Sequence, residues 1–234
     1  MRQLSSDFNL TQLANRYGSD KGTAVGNAHH YTLFYETLLA PRRESIRRML
    51  EIGLLRNGPE VGVSADRQTG DLPSVRMWLD YFPNAIVHGF DISDFSFYTD
   101  PRFVFTRGDA GNGGDLDRVK ANGEIFDFII DDGSHASFHQ QLTFLKLFPA
   151  LTPGGLYIIE DLNWQPEVYE ETLPYTMLTR ELFQYWFRMG RFPEMPGWLA
   201  PLTGLSDDIA IIQPLYQPFS DNKVMKSIVI QKKW

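Results

Sequence analysis

Short apolar runs recur along the first two thirds of the chain, at 49–53, 86–90, 103–106, 126–130 and 156–159. Each fits a strand, and the runs at 126–130 and 156–159 read as strands buried on both faces, the habit of a parallel sheet. Between them lie stretches with helical spacing, over 73–81, 116–121 and 138–148. Pro73 suits a first helical position, because its missing N–H would have no partner there. Two more helices are predicted ahead of the first strand, at 10–17, stopped by Gly18, and at 31–39, with a loop at 19–30 between them. Strands that alternate with helices in this way predict a doubly wound α/β sheet.

The pattern changes at both margins of that core. Residues 54–71 are Gly-rich and charged with little hydrophobic period, a long loop of the kind that is usually functional or mobile. Residues 172–189 read as one aromatic helix carrying Tyr175, Phe183, Tyr185, Trp186 and Phe187, and 192–201 as a loop rich in Pro and Trp. Runs at 209–215 and 224–230 are two β segments joined by a turn at 220–223, hence a terminal antiparallel hairpin. The fold expected is a single α/β domain, doubly wound, with a mostly parallel seven-stranded sheet whose last pair is antiparallel.

Composition narrows the partners. At 234 residues, 43% hydrophobic and 22% charged, the chain has the make-up of an ordinary globular domain. A net charge of −7 argues against nucleic acid, which would want a basic stripe. With no cysteine there can be no disulfide, thiolate ligand or cysteine nucleophile. Residues 1–10 lack a signal peptide's apolar core and no run is long enough to span a membrane, so a cytoplasmic location is expected.

Chemistry concentrates where strands end. Asp131-Asp132-Gly133-Ser134-His135 follows the strand at 126–130, and Glu160-Asp161 follows the strand at 156–159. Ligands of open α/β sheets sit beyond these carboxyl ends. Neighbouring strands could therefore gather Asp132, Glu160 and Asp161 round one point, with His135 a turn away. Three hard oxygen donors suit a divalent cation such as Mg²⁺. Glu51 and Gly53 close the first strand. Asp91 closes the second, placed to accept from ribose hydroxyls, and Gly108-Asp109 after the third could hold an adenine amino group. The phosphate-cradling Gly-x-Gly-x-x-Gly spacing is missing after the first strand. A phosphate-free, cationic adenosyl ligand such as S-adenosylmethionine is thus favoured over NAD.

Several segments together resemble one family: Tyr17-Gly18-Ser19-Asp20-Lys21-Gly22 with His30-Tyr31, Leu50-Glu51-Ile52-Gly53, Tyr81-Phe82-Pro83-Asn84-Ala85 and Gly89-Phe90-Asp91. They continue through Asp131 to His135, Leu147-Phe148-Pro149, Pro153-Gly154-Gly155 and Ile159-Glu160-Asp161-Leu162. In order and content they resemble class I S-adenosylmethionine-dependent methyltransferases of the macrocin and mycinamicin sugar O-methyltransferase group, whose framework the cephalosporin hydroxylases share. The resemblance implies Mg²⁺ held by Asp132, Glu160 and Asp161 and His135 as general base. It also implies cofactor contacts at Lys21, His30, Glu51, Gly53, Asp91, Asp109 and Asp131, with Ser74 in place of the family's cofactor-loop Ser. The acceptor implied is a hydroxylated small molecule such as a natural-product sugar, and the assembly a homo-oligomer. The chain would then divide into a helical cap (1–47), a cofactor and metal core (48–164), an aromatic lid or insertion (165–206) and the hairpin (207–234). The loop at 54–71 is longer than the family's usual turn, and 172–198 matches no family segment.

The expected mechanism is in-line attack of an acceptor oxygen on the sulfonium methyl, with the cation stabilising the alkoxide and His135 taking the proton. Gly133 would let the chain turn and swing His135 inward, and Met, Trp and Tyr side chains of 172–198 could close over the site. Plainer readings stand beside these. Asp132 or Ser134 could cap the next helix, Asp20 and Lys21 could be a solvated pair, and His29 and His139 read as surface and structural residues. The aromatic stretch fits core or subunit interface as well as lid. Alternative functions are a metal-independent carboxyl methyltransferase or oxygenase-like enzyme, a non-catalytic adenosyl-binding partner protein, and an NAD-dependent oxidoreductase.

Overall fold

A computed structural model describes residues 7–121, 123–216 and 224–234. Its sheet has seven strands: β1 (Arg48–Ile52), β2 (Ile86–Asp91), β3 (Phe103–Arg107), β4 (Phe126–Asp131), β5 (Leu151–Ile159), β6 (Ile209–Tyr216) and β7 (Met225–Lys232). They lie in the order β3-β2-β1-β4-β5-β7-β6. The first five are parallel, while β7 runs antiparallel to both β5 and β6. The doubly wound sheet with an antiparallel terminal hairpin is therefore as expected. Its turn at 220–223 lies outside the described residues.

Alternation along the strands builds a core on each face. Met49, Phe128, Ile130, Leu156 and Ile158 pack with α1 (Leu10–Tyr17), α2 (Tyr31–Leu39) and α3 (Pro73–Tyr81). Leu50, Ile52, Ile129, Tyr157 and Ile159 face α4 (Gly113–Val119) and α5 (Ser137–Leu147) on the other side. Asn9 and Gln12 form a capping box at the start of α1, and Gly18 ends it in left-handed backbone.

The aromatic segment differs from its prediction. Of the helix expected over 172–189 only α7 (Thr179–Met189) forms, with a separate α6 (Glu167–Thr172) before it and a short α8 (Leu202–Leu205) after it. Pro174 accounts for the break, since proline disfavours helix in the residue before it and removes a donor. Phe183 and Phe192 pack on Phe144 of α5 with ring centroids 5.8 and 5.9 Å apart. Phe183 and Phe192 are thus core, while Tyr175 and Phe187 stay exposed. Among the described residues, no helix is long and apolar enough to cross a membrane.

Candidate active site

The ends of β1, β4 and β5 converge because backbone ladder bonds continue past them: Asp132 N–H donates to Ile52 O (2.9 Å) and Glu160 N–H to Asp131 O (2.9 Å). Gly53 lies where β1 and β4 touch. Its φ is +80°, and a Cβ there would stand 2.1 Å from Asp132 O. Both the left-handed backbone and the close approach demand glycine.

A buried cation joins two of the strand-end carboxylates. Lys21 Nζ donates to Glu160 Oε2 (2.6 Å) and to Asp132 Oδ2, while Tyr35 Oη donates to Glu160 Oε1 (2.8 Å). Burial works to lower the Lys21 pKa, but Asp132 and Glu160 outweigh it and hold the ammonium well above its ordinary range. Burial, reinforced by Asp132, pushes the Glu160 carboxyl well up. Asp132 is held low: burial opposes this, and Lys21 and His135 outweigh it.

The loop carrying Lys21 is shaped by its own backbone bonds, His29 N–H to Asp20 O (2.7 Å), His30 N–H to Gly22 O (3.0 Å) and Thr32 N–H to Lys21 O (3.0 Å). Beside this group, Tyr31 Oη donates to Asp161 Oδ1 (2.7 Å). Asp161 Oδ2 lies 3.5 Å from His29 Nδ1 and 3.9 Å from His135 Nε2. His135 and Asp161 both have left-handed backbone, φ 62° and 51°. Non-glycine residues hold such conformations only when their surroundings over-determine them, and they cluster at functional sites. The turn therefore falls on His135 itself, not on Gly133, whose φ is not positive.

Asp132, His135 and Asp161 each offer a ligand atom within 4.8 Å of the others. His135 Nδ1 is buried with no hydrogen-bond partner. Hard oxygens beside an imidazole, drawn from two strand ends, fit a divalent cation. These groups open into a cavity of about 550 Å³, also lined by Lys21, His29, Gly53, Ser74, Trp164 and Lys226. That volume is in the range of small-molecule sites. A smaller cavity of about 60 Å³ adjoins it through Gly53, Asp132 and Gly133 and reaches Asp91, Asp109 and His139.

The site's relatives are consistent with this chemistry. No family model matches the chain. It is 42% identical over 155 residues to the 8-demethyl-8-alpha-L-rhamnosyl tetracenomycin-C 2'-O-methyltransferase of Streptomyces olivaceus, covering 66% of this chain and 38% of that protein. It is 37% identical over 153 residues to the mycinamicin VI 2''-O-methyltransferase of Micromonospora griseorubida, covering 65% and 36%. A solved structure of the MycE methyltransferase of mycinamycin biosynthesis, in complex with Mg and SAH, superposes with a TM-score of 0.71 at 27% identity. That match covers 97% of this chain and 55% of MycE. The chain has the methyltransferase fold and resembles sugar O-methyltransferases. It spans under two fifths of the length of the curated relatives it matches.

Within this methyltransferase fold, the residues singled out in the sequence separate into three groups, with His30 outside all of them. Asp132, His135, Asp161, Gly53, Ser74 and Lys21 line the main cavity, and Asp91 and Asp109 the smaller one. Glu51, Glu160 and Asp131 are buried behind them. Glu51 accepts from Ser74 Oγ (2.9 Å) and Trp78 Nε1 (3.1 Å). Asp131 is turned to α5, where Thr143 Oγ1 donates to it. His30 sits at the N-cap of α2 and does not line the cavity; its neighbour His29, expected at the surface, does. Lys21 is no solvated pair with Asp20 but the inner cation described above. Residues 172–198 line neither cavity, and Trp164 takes the rim place expected of that segment.

Tyr31 and His29 were given no place in the site, and Tyr35, Arg67 and Lys226 were not singled out. A signal existed for two: Tyr31 and Tyr35 are four apart, so they share one helix face, and their rings stack at 5.6 Å. Arg67 has no such signal. It reaches from the long loop to Asp91, with Nη2 2.6 Å from Oδ1 and Nε 2.7 Å from Ser93 Oγ. Leu54 N–H (2.8 Å) and Ser93 N–H (2.8 Å) also donate to the Asp91 carboxylate.

Burial raises Glu51 to about 7 and Asp131 to about 6, from 4.5 and 3.8. Between the unfolded and folded values the native state holds more protons, so stability falls as pH rises through these windows. Glu51→Gln is expected to make the fall between pH 6 and 7 shallower, leaving the Asp131 part below it. Melting temperatures of the two proteins from pH 4.5 to 8 measure this.

Proposed function

We propose that the chain catalyses O-methylation, carrying the methyl group of S-adenosylmethionine to a hydroxyl of a sugar or sugar-bearing natural product, with Mg²⁺. The observation that carries this reading is the convergence of Asp132, His135 and Asp161 at the ends of β4 and β5, inside a cavity continuous with Asp91 and Asp109. Relatives named as sugar O-methyltransferases, and MycE with Mg and SAH, support it. Asp132 and Asp161 would hold the cation beside His135, while Glu160, expected as the third carboxylate, lies buried behind them with its oxygens engaged by Lys21 and Tyr35. When bound, a divalent cation supplies Lewis-acid stabilisation of charge developing on the acceptor oxygen.

The chain's own groups do the rest. His135 takes the acceptor proton, its ring held between Asp161 and the Trp164 ring, whose centroid is 5.6 Å from its own. Tyr31 fixes one Asp161 oxygen, leaving the other toward the imidazoles. Trp164 narrows the cavity mouth and excludes water. Lys21 balances the inner negative charge so that Asp132 stays ionised.

Transfer of labelled methyl from S-adenosylmethionine to a panel of L-rhamnosides and acidic sugars tests the reading. Transfer that needs Mg²⁺ and stops with EDTA is the expected result. Transfer indifferent to EDTA would favour a metal-independent enzyme, and failure to bind SAH would remove the adenosyl cofactor.

Arg67 competes with a ribose for Asp91, because its guanidinium holds Oδ1 in a cavity of about 60 Å³ and leaves only Oδ2, which accepts from Leu54 N–H. Apparent affinity is reduced by the fraction of molecules in a competent state. Arg67→Ala is therefore expected to tighten SAH binding about tenfold, read by calorimetry. Weaker binding would instead make Arg67 part of the cofactor site.

A further inference from the structure

Lys226 enters the main cavity from β7, far in sequence from the strand-end residues. The residue is 8% exposed, and it lines the cavity with His135, Asp161 and Trp164. Its backbone carbonyl accepts from Leu162 N–H (2.8 Å), which fixes it beside the end of β5. Among the described residues, no carboxylate lies within ion-pair distance of its ammonium and no hydrogen-bond acceptor meets it. Its one recorded partner is the Tyr31 ring, whose centroid is 4.8 Å from Nζ.

The other cavity cations differ in this respect. Lys21 has two carboxylates, and Arg56 has Asp20 at 3.8 Å. A ring face receives one side of an ammonium through its quadrupole, yet an ammonium carries three donors. The stem of Lys226 is buried while its ammonium opens on the cavity, so its unused donors are available to an oxygen group of a ligand. The donors that remain face a cavity large enough for a monosaccharide.

We propose that Lys226 anchors the methyl acceptor through an anionic oxygen group, a carboxylate or phosphate, so that the acceptor is an acidic sugar. This rests on the O-methyltransferase reading and names the acceptor class within it. Tyr31 gives the anchor its place: the same ring supports the Lys226 ammonium and donates to Asp161. An acceptor held at Lys226 thus lies beside the residues that hold the cation and take the proton.

The test is equilibrium binding of glucuronic acid, glucose 1-phosphate and glucose to the full chain with Mg²⁺ and SAH. One charged sugar is expected to bind about tenfold more tightly than glucose, in line with a charge-assisted hydrogen bond. Whichever it is identifies the anion as carboxylate or phosphate. Lys226→Gln should lose that tenfold advantage and leave glucose unchanged, while Lys226→Arg keeps most of it. Under turnover the loss should fall on KM rather than kcat. Equal binding of charged and neutral sugars by the wild type would overturn the proposal without any variant. So would a Lys226→Gln protein that keeps the preference, or one that loses SAH binding as well. SAH that fails to bind the wild type would count against the cofactor reading, whereas the sugar comparison still decides this one.

Discussion

Replacing His135 is expected to slow methyl transfer by about 10²–10⁴-fold, the range that one positioned acid–base group supplies. The choice of replacement matters, because φ at this position is 62°. Alanine there would still carry the left-handed cost of about 1–2 kcal/mol, whereas asparagine visits this region readily. His135→Asn therefore removes the imidazole with the smaller disturbance to the turn. Initial rates at saturating cofactor and Mg²⁺, paired with a melting curve, separate lost chemistry from lost fold. The same series read against Mg²⁺ concentration distinguishes a proton acceptor from a ligand: the first lowers the maximal rate, the second raises the Mg²⁺ needed to reach it. A His135→Asn protein within a factor of ten of wild type would exclude His135 as the base.

Lys21→Met is expected to cost about 3–5 kcal/mol of stability, because it leaves a buried carboxylate pair without its cation. Lys21 and Glu160 are 2% and 0% exposed, so water cannot take over. For a domain of this size that corresponds to a fall in Tm of about 10 °C. Glu160 already holds its proton well above the ordinary carboxylate range, through burial first and Asp132 second. Losing Lys21 raises it further, so the deficit should be larger at pH 8 than at pH 5. Adding Glu160→Gln removes one charge from the unpaired cluster and should recover part of the loss, a coupling that a double-mutant cycle measures. Mg²⁺ should also stabilise Lys21→Met more than wild type, since the ammonium no longer competes for the same oxygens. An unchanged melting temperature would mean that Lys21 does not neutralise these carboxylates in solution.

The elements that carry the site were legible because their pattern is local. Runs such as 126–130 lead directly into Asp131-Asp132, so the pairing of neighbouring strands brings Asp132 near Glu160 and Asp161. Gly53 was legible as the close of β1, though its reason, contact with Asp132 O, needs the neighbouring strand. What escaped depends on loops folding back. Lys21 was named for the cofactor site, but its bond to Glu160 spans 139 positions, and Arg67 reaches Asp91 from a segment with little hydrophobic period. The choice of His29 over His30 is set by a left-handed φ of 61° at His30, which no local pattern announces. The aromatic helix at 172–189 was read as continuous because its apolar spacing carries past Pro174. Its rings then look like a lid, although Phe144 and Phe148 of the sheet's outer layer give Phe183 and Phe192 an apolar surface to bury against.

The most direct measurement replaces Mg²⁺ by Mn²⁺ and follows the resonance of the free ion as protein with SAH is added. One tight site per chain is predicted, weakened at least about tenfold by Asp132→Asn and again by Asp161→Asn, as loss of a charged oxygen ligand requires. A free-ion signal undiminished by the wild-type protein would contradict a cation-binding centre at the ends of β4 and β5.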